Sequence, residues 1–275
     1  MSSRERGTPM GHKMTNAPVY FTVAQVRFNP ILSLKTYLPD IQEQLRKAGY
    51  PDFRQGISMM FNISNIANPE VPQDQTPSVQ QVERFMFSNM DKTQGFILHA
   101  NSLSYQATKY ERYDKFSNDF IKGLEITHKT IGLNFSERIG VRYLDAVAPK
   151  KGDELPQYLI PEVLGVAGLL QGTSIIHSFS ESVVKTRTGG KVVSRTVIQN
   201  GHLGFPPDLQ PDGLTVDDRF REIDGLHAVI DTDGSFENRE PFDIANVKKR
   251  LDDLHDVIGA AFHSTVTKYA ESVWG

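Results

Sequence analysis

The sequence predicts an α+β protein built from two related halves, each an antiparallel meander sheet followed by a long amphipathic helix. Short segments in which apolar and polar residues alternate follow one another at turn-sized intervals, as in a meander. Each run of such segments leads to one long helical pattern, over about 112–131 in the first half and about 243–272 in the second. Strands that come in runs favour α+β over a doubly wound parallel sheet.

The composition is that of an ordinary globular protein. The 275 residues are 39% apolar and 23% charged, which excludes a collagen, a coiled coil and a chain disordered over most of its length. The 30 basic and 33 acidic side chains give a net charge of −3, so nucleic acid is disfavoured as a partner without being excluded. The chain has no cysteine, which removes disulfides, Cys-ligated zinc, Fe–S clusters and a thiol nucleophile.

Targeting signals are not visible in the sequence. The N-terminal residues lack the apolar stretch of a secretory signal, and the longest apolar run, 158–170, is interrupted by Pro161, Glu162 and two glycines. That run is too short to span a membrane. We therefore expect a cytoplasmic protein with no membrane partner, in which residues 1–16 form a flexible leader.

The first half, 17–147, contains six predicted strands and two predicted helices. Ser33 is the expected N-cap of the first helix, Pro39 marks either its first turn or a kink, and Gly132 ends the second helix. Residues 67–78 hold three prolines and predict a loop. The strands are expected over about 19–28, 57–64, 81–89, 94–100, 102–109 and 136–147, and the helices over 34–48 and 112–131.

A polar segment with two prolines, 148–158, is the expected junction to the second half, 159–275. That half begins with a short helix or irregular apolar piece over 159–170. A hairpin of strands follows, with Gly189 and Gly190 in its turn. Asp243 is a good N-cap for the last helix. The remaining expected elements are strands over about 173–187, 191–200 and 222–231, a loop over 201–221, and a turn at Asp233-Gly234.

Three segments are similar to those of a sporadically distributed bacterial family of uncharacterised proteins. They are 17–31, 135–147 and the C-terminal run that begins at 231–236, continues through 242–243 and 251–255, and has Phe262 after it. The resemblance covers nearly the whole chain from Ala17. It implies no catalytic residue, because that family has no assigned activity. The patchy distribution of the family implies an accessory role, such as one in a bacterial defence or toxin–antitoxin locus.

Asp231 and Asp233 define one candidate site. The run Asp-Thr-Asp-Gly-Ser after an apolar strand resembles the opening of haloacid dehalogenase-type phosphatases, in which the first Asp attacks phosphorus and the second acts on the leaving group. In those enzymes the motif ends an early strand of a parallel sheet, whereas here mainly the last helix follows it. The alternative is a strand end at which both Asp side chains cap backbone donors.

A second candidate site is a set of basic residues on the predicted hairpin. Strand side chains alternate, so Lys185 and Arg187 share one face, and Lys191 and Arg195 share another. Across a tight turn the two faces can coincide, and four positive charges would then contact phosphates or an acidic partner. The alternative is a solvated face whose charges protect a sheet edge from aggregation.

Other charged residues indicate structure more than chemistry. Arg138 and Arg142 lie four residues apart and share a strand face, where a buried arginine needs a carboxylate; we expect a structural ion pair. His255 and His263 are eight residues apart on the last helix, farther than the one-turn spacing of a metal pair. We predict no metal and no cofactor, because the chain also lacks phosphate-binding and nucleophile motifs.

The last helix is the expected partner surface. At about 30 residues it would be about 45 Å long, and its apolar positions continue to Tyr269 and Trp274. Trp274 either docks on its own domain or anchors a partner. These features favour a non-enzymatic binding or accessory protein whose partner is another protein or a second copy. A metal-dependent phosphatase or nuclease centred on Asp231 and Asp233 is the alternative.

Overall fold

The computed structural model describes residues 16–61, 79–170 and 172–275. These residues form seven α-helices and one ten-stranded sheet in which every strand pair is antiparallel. The chain therefore has an α+β fold, as predicted. The loop expected at 67–78, and all but the last residue of the expected leader, lie outside the described residues.

The first half follows the predicted order of elements. The second strand begins at Asp52, earlier than expected, and Pro39 lies inside the first helix without ending it. Gly132 ends the second helix in the left-handed conformation, with φ +78°. The elements are β1 (Val19–Phe28), α1 (Leu34–Lys47), β2 (Asp52–Phe61), β3 (Val79–Ser88), β4 (Gln94–His99), β5 (Ser102–Ala107), α2 (Tyr113–Ile131) and β6 (Phe135–Val147).

The second half has more short elements than predicted. Its first strand is shorter than expected, and a 3-10 turn over Val166–Leu169 precedes it. Asp243 caps α6, since its side chain accepts from the amide of Ala245. The elements are α3 (Leu155–Tyr158), α4 (Pro161–Leu164), β7 (Ser178–Lys185), β8 (Lys191–Asn200), α5 (Asp218–Arg221), β9 (Leu226–Phe236), β10 (Glu240–Pro241), α6 (Ile244–Thr265) and α7 (Lys268–Trp274).

The turn predicted at Asp233-Gly234 was wrong, because β9 continues through both residues to Phe236. Gly234 lies where α6 crosses the sheet closely. A Cβ atom at this position would be 3.1 Å from the side chain of Ile258 and 3.2 Å from that of Leu254. The glycine therefore allows close helix packing and does not mark a chain reversal.

The prediction of a single last helix over 243–272 was also wrong. Val266 is extended, with φ −100° and ψ 156°, and separates α6 from α7. It forms an isolated antiparallel bridge with Leu159, while the amide of Thr267 donates to the carbonyl of Tyr158. Pairing with the segment after α3 thus breaks the helix and redirects the chain end.

The strand order is β2-β3-β4-β5-β1-β6-β9-β8-β7, with β10 paired to β6. The two halves meet where β6 pairs with β9, so both contribute to one sheet. Helices α1, α2 and α6 cover one face, here the helix-covered face, and share one core with the side chains of that face. The boundary at 148–158 and the internal duplication stay predictions.

The opposite face, here the open face, is covered at one end by residues 201–225, the covering loop. Apolar side chains of the loop pack on this end of the sheet, including Phe205 against Tyr20 and Phe21. The hydroxyl of Tyr20 donates to the carbonyl of Gly204 (2.9 Å). None of the described helices combines the length and apolar character needed to cross a bilayer.

Candidate functional site

A cleft of about 450 Å³ lies between the open face and the covering loop. Ligand sites in proteins commonly have volumes of this size. Strands β6 to β9 supply one wall and the segment 204–208 of the covering loop supplies the other. The lining residues are Arg142, Phe179, Arg195, Val197, Gln199, Gly204, Phe205, Pro206, Pro207, Asp208, Val229 and Asp231.

Strand register brings the charged side chains of the cleft together. Leu144, Asp231, Arg195 and Glu181 face one another on the neighbouring strands β6, β9, β8 and β7. Arg142 is two residues from Leu144, on the same face of β6, and is therefore a diagonal neighbour of Asp231. Three strands far apart in the sequence thus place two guanidinium groups beside one carboxylate.

Arg142 forms a buried ion pair with Asp231, as predicted for a buried arginine of this strand. Its Nε and Nη2 donate to the two oxygens of Asp231 (2.7 and 2.8 Å), and Nη1 donates to Asp208 (2.6 Å). The side chains of Arg142 and Asp231 are only 10% and 5% exposed. Burial alone would lower the pKa of Arg142, but its hydrogen bonds to both carboxylates raise it. The same contact lowers the pKa of Asp208.

Arg195 is the more accessible of the two arginines. Its Nε donates to Glu181 (2.7 Å), and its Nη1 lies 3.5 Å from Asp231. Among the described residues, no oxygen accepts from its Nη2. The side chain is 29% exposed. Arg195 therefore retains donor capacity for a group that enters the cleft.

Most of the remaining lining is apolar. Phe179 is over half exposed although it is a large aromatic residue, and it lies opposite Val197 on β8. A ligand that covered these side chains would remove apolar surface from water. The apolar lining residues are Phe179, Val197, Phe205, Pro206, Pro207 and Val229.

Asp231 and Asp233 point to the same open face of β9, but each has a cationic neighbour. Both oxygens of Asp231 accept from Arg142, and Asp233 lies 3.7 Å from Arg138. Across the described ranges, no three His, Cys, Asp or Glu side chains are placed to hold a metal ion. This environment gives no support to a metal-dependent site at these residues.

Three of the four basic residues of the hairpin share one face of the sheet. Lys185 and Lys191 lie directly opposite each other on the open face, and Arg195 shares that face. Arg187 lies in the turn between β7 and β8. Of the four, only Arg195 lines the cleft, and it is paired with Glu181.

The C-terminal aromatic residues pack against their own chain. Trp274 is buried, with its ring 6.1 Å from that of Tyr158 and 6.0 Å from that of Phe262. Tyr269 is partly exposed and donates its hydroxyl to Asp153 (2.8 Å). Trp274 therefore takes the first of the two positions expected for it, against its own domain.

The two histidines of α6 have separate partners. His255 stacks on Tyr113, with ring centroids 3.7 Å apart, and its Nδ1 lies 3.2 Å from the Tyr143 hydroxyl. Burial lowers the pKa of His255. His263 contacts Glu271 (2.7 Å). The pair is not brought together into one site.

Sequence reasoning missed the covering-loop side of the cleft. Asp208 and Phe205 come from a segment that was predicted only to be a loop, and Gln199 was not singled out. A signal was present, because Leu203, Phe205 and Leu209 form an apolar cluster within an otherwise polar segment. Such residues in a loop indicate that it packs on something.

No family model matches the chain, and no curated protein matches it.

Proposed function

We propose that this chain is a non-enzymatic binding protein whose cleft receives an apolar side chain with a neighbouring carboxylate from a protein partner. The observation that supports the proposal is the position of Arg195, which has an unused Nη2 donor beside an apolar wall. The unused Nη2 can donate a charge-assisted hydrogen bond to a carboxylate oxygen. The apolar wall would supply affinity through burial.

The other charges of the cleft already have partners. Asp231 is satisfied by Arg142, and Asp208 completes the coordination of the same guanidinium. The charged group of the cleft that has a free donor is the guanidinium of Arg195, and a cation favours an anionic ligand over a cationic one. Asp208 shows how a carboxylate binds to an arginine of this cleft.

The lining residues also favour binding over catalysis. None of them is a Ser, Thr, Tyr, His, Cys or Lys, so the carboxylates of Asp208 and Asp231 are the candidates for a nucleophile or a general base in the described cleft. Both carboxylates are hydrogen-bonded to Arg142, and the lowered pKa of Asp208 makes it a weak base. No catalytic residue is proposed.

A dye with the same chemistry tests the cleft directly. Anilinonaphthalene sulfonate combines an aromatic body with an anionic group, and phenylnaphthylamine has a similar body without the charge. We expect saturable binding of the anionic dye to the folded protein. Arg195→Gln should weaken that binding by about tenfold, the equivalent of one charge-assisted hydrogen bond, and should leave the neutral dye nearly unaffected.

Lys191→Gln is the matched control. Lys191 is exposed on the same face of β8 as Arg195, four residues before it in the sequence. It does not line the cleft. The variant should bind both dyes as the wild type does. Equal losses in Arg195→Gln and Lys191→Gln, or no saturable binding to the wild type, would contradict the proposal.

The alternative, a metal-dependent phosphatase or nuclease centred on Asp231 and Asp233, is tested by replacing both with Asn. A phosphatase or nuclease activity that needs a metal and disappears in this variant would establish the alternative. A role in a bacterial defence or toxin–antitoxin locus rests on the resemblance of the sequence alone. Identifying the genes that lie next to this one in the genome tests that role.

We also propose that the chain arose by duplication of a unit whose second copy begins at β6, before the polar junction. Each copy consists of a strand, an insertion, a three-strand meander and a long helix, and the order β3-β4-β5-β1 has its counterpart in β7-β8-β9-β6. A two-fold rotation about the Gln25–Gly140 pair of β1 and β6 relates Arg27 to Arg142. Both arginines follow a valine and precede an aromatic residue, which supports the proposal.

A further inference from the structure

The outermost strand on one side of the sheet, β7, has an unprotected edge. It pairs with β8 over eight consecutive residues without a register shift, and it contains no proline. Within the described part of the chain, no strand pairs with its outer side. Bulges and prolines are two of the devices that prevent edge-to-edge pairing, and β7 has neither; α4 contacts the strand, and Glu181 and Lys185 are its charged residues.

Exposed apolar residues concentrate at this edge. Of the 13 large apolar side chains that the described residues expose, seven lie between positions 166 and 184. Contacts between α4 and β7 hold the start of this segment beside the strand. Monomeric proteins rarely expose so many apolar side chains together. The seven are Val166, Leu169, Leu170, Ile176, Phe179, Val183 and Val184.

The side chains of β7 are complementary to themselves. Phe179, Glu181, Val183 and Lys185 share the open face. If two copies of the strand pair antiparallel about Val183, then Glu181 of each copy lies opposite Lys185 of the other. Opposite charges that face each other across two strands stabilise their pairing. In the same register, Val183 of one copy lies opposite Val183 of the other at the two-fold axis.

We propose that β7 pairs antiparallel with β7 of a second copy, centred on Val183, so that the sheets of two chains become one. Each edge would satisfy the backbone groups of the other, as in strand addition. The two-fold axis is perpendicular to the sheet, so the open faces and clefts of both copies lie on the same side. This assembly does not depend on what the clefts bind.

Sedimentation of the full chain and of Val183→Lys tests the assembly. The wild type should be a dimer, whereas Val183→Lys places two lysines at the axis and should be a monomer at concentrations where the wild type is dimeric. Ile57→Lys is the matched control, because Ile57 lies on β2 at the opposite sheet edge and is 59% exposed, against 57% for Val183. This control should remain dimeric.

A charge swap tests the register. Lys185→Glu places two like charges opposite each other twice per dimer and should weaken association about tenfold. The double variant Glu181→Lys, Lys185→Glu, made in an Arg195→Gln background so that no lysine faces Arg195 of the same chain, restores opposite charges between the copies and should recover most of the loss. It also keeps the test decisive if Val183→Lys does not fold. A monomeric wild type, a dimer in Val183→Lys, or no recovery in the double variant would overturn the proposal.

Discussion

At the scale of single residues, Asp145 is the most unusual group of the helix-covered core. It is only 4% exposed, and no described side chain donates a hydrogen bond to it. Burial, with repulsion from Asp231 as a smaller cause, raises the pKa of Asp145 from 3.8 to about 8. Its negative charge also contributes to the raised pKa values of the buried phenols Tyr110 and Tyr143.

Asp145 makes the protein less stable as the pH rises. Between pH 3.8 and 8 the folded state keeps the proton that the unfolded state has lost. The free energy of unfolding should therefore fall through this window by up to about 1.4 kcal/mol per pH unit from this group. Asp145→Asn, which resembles the protonated form, should remove that contribution. Urea unfolding at several pH values measures it.

Asp91→Asn is the control for this prediction, because Asp91 is an exposed aspartate in the turn between β3 and β4. Its pH profile of stability should follow the wild type. An Asp145→Asn variant that is as pH-sensitive as the wild type would show that the buried carboxyl is not the cause.

Two glycines in helices should respond oppositely to substitution by alanine. A Cβ at Gly123 of α2 would lie 2.2 Å from the ring of Phe96, whereas a Cβ at Gly259 of α6 meets nothing within 4 Å. Gly123→Ala should lower the free energy of unfolding by about 1–3 kcal/mol through overpacking. Gly259→Ala should raise it by up to about 1 kcal/mol, because alanine is the better helix former.

Chemical unfolding of both alanine variants decides this prediction. Similar effects of the two substitutions would mean that helix propensity, and not the contact with Phe96, sets the cost at Gly123.

At the scale of elements, α7 packs on the second half of the chain and stabilises it. It buries Trp274 and Ala270 against the cluster around Tyr158, and contacts between α3 and α7 hold it there. Deletion of residues 268–275 should therefore lower stability by at least about 3 kcal/mol, the cost of removing a buried Trp. Thermal unfolding measures the loss, and sedimentation should show an unchanged association state because β7 is intact.

Tyr269→Phe is the control for the truncation, since it removes one partly exposed hydroxyl and its bond to Asp153. It should cost much less stability than the truncation does, because water screens a bond between two exposed side chains. A truncated chain that is as stable as the wild type but no longer associates would place the dimer contact on α7 and not on β7.

Local patterns predicted the elements well where one face packs on the core. The alternation in β1 and β4 and the helical spacing in α2 are properties of neighbouring residues, so the sequence alone shows them. Errors arose where a distant contact decides the local structure. Gly234 was predicted in a turn, but it lies within β9 because α6 packs closely over it. Val266 was predicted in a helix, but it is extended because it pairs with Leu159.

The candidate site was less predictable than the elements. The sequence pointed to these residues on separate grounds: Arg142 as a strand arginine that needs a carboxylate, Arg195 as one of four basic residues of the hairpin, and Asp231 through the run Asp-Thr-Asp-Gly-Ser. These three side chains meet only in the observed register of β6, β8 and β9. That register depends on pairing between residues that are far apart in the sequence. Asp208 joins them only because the apolar residues of the covering loop pack on the open face.

At the scale of the whole molecule, the two halves share both a sheet and a core. The main core on the helix-covered face contains Phe96 and Phe120 from the first half and Leu251 and Leu254 from the second. The helices α2 and α6 contact each other across it. Separating the halves would break the β6–β9 pairing and expose this core, so neither half has a complete hydrophobic interior of its own.

We therefore expect the chain to unfold as one cooperative unit. Trp274, the only tryptophan, is buried in the second half, so its fluorescence reports on that half, whereas far-UV circular dichroism reports on both. In a urea titration the two signals should give the same midpoint, as for a two-state transition. If the halves were independent domains, the fluorescence change would coincide with only one of two steps in the dichroism, and the polar junction at 148–158 would then separate true folding units. The shared core predicts coincidence, because separating the halves between β6 and β9 would expose one new strand edge on each half and break the contact between α2 and α6.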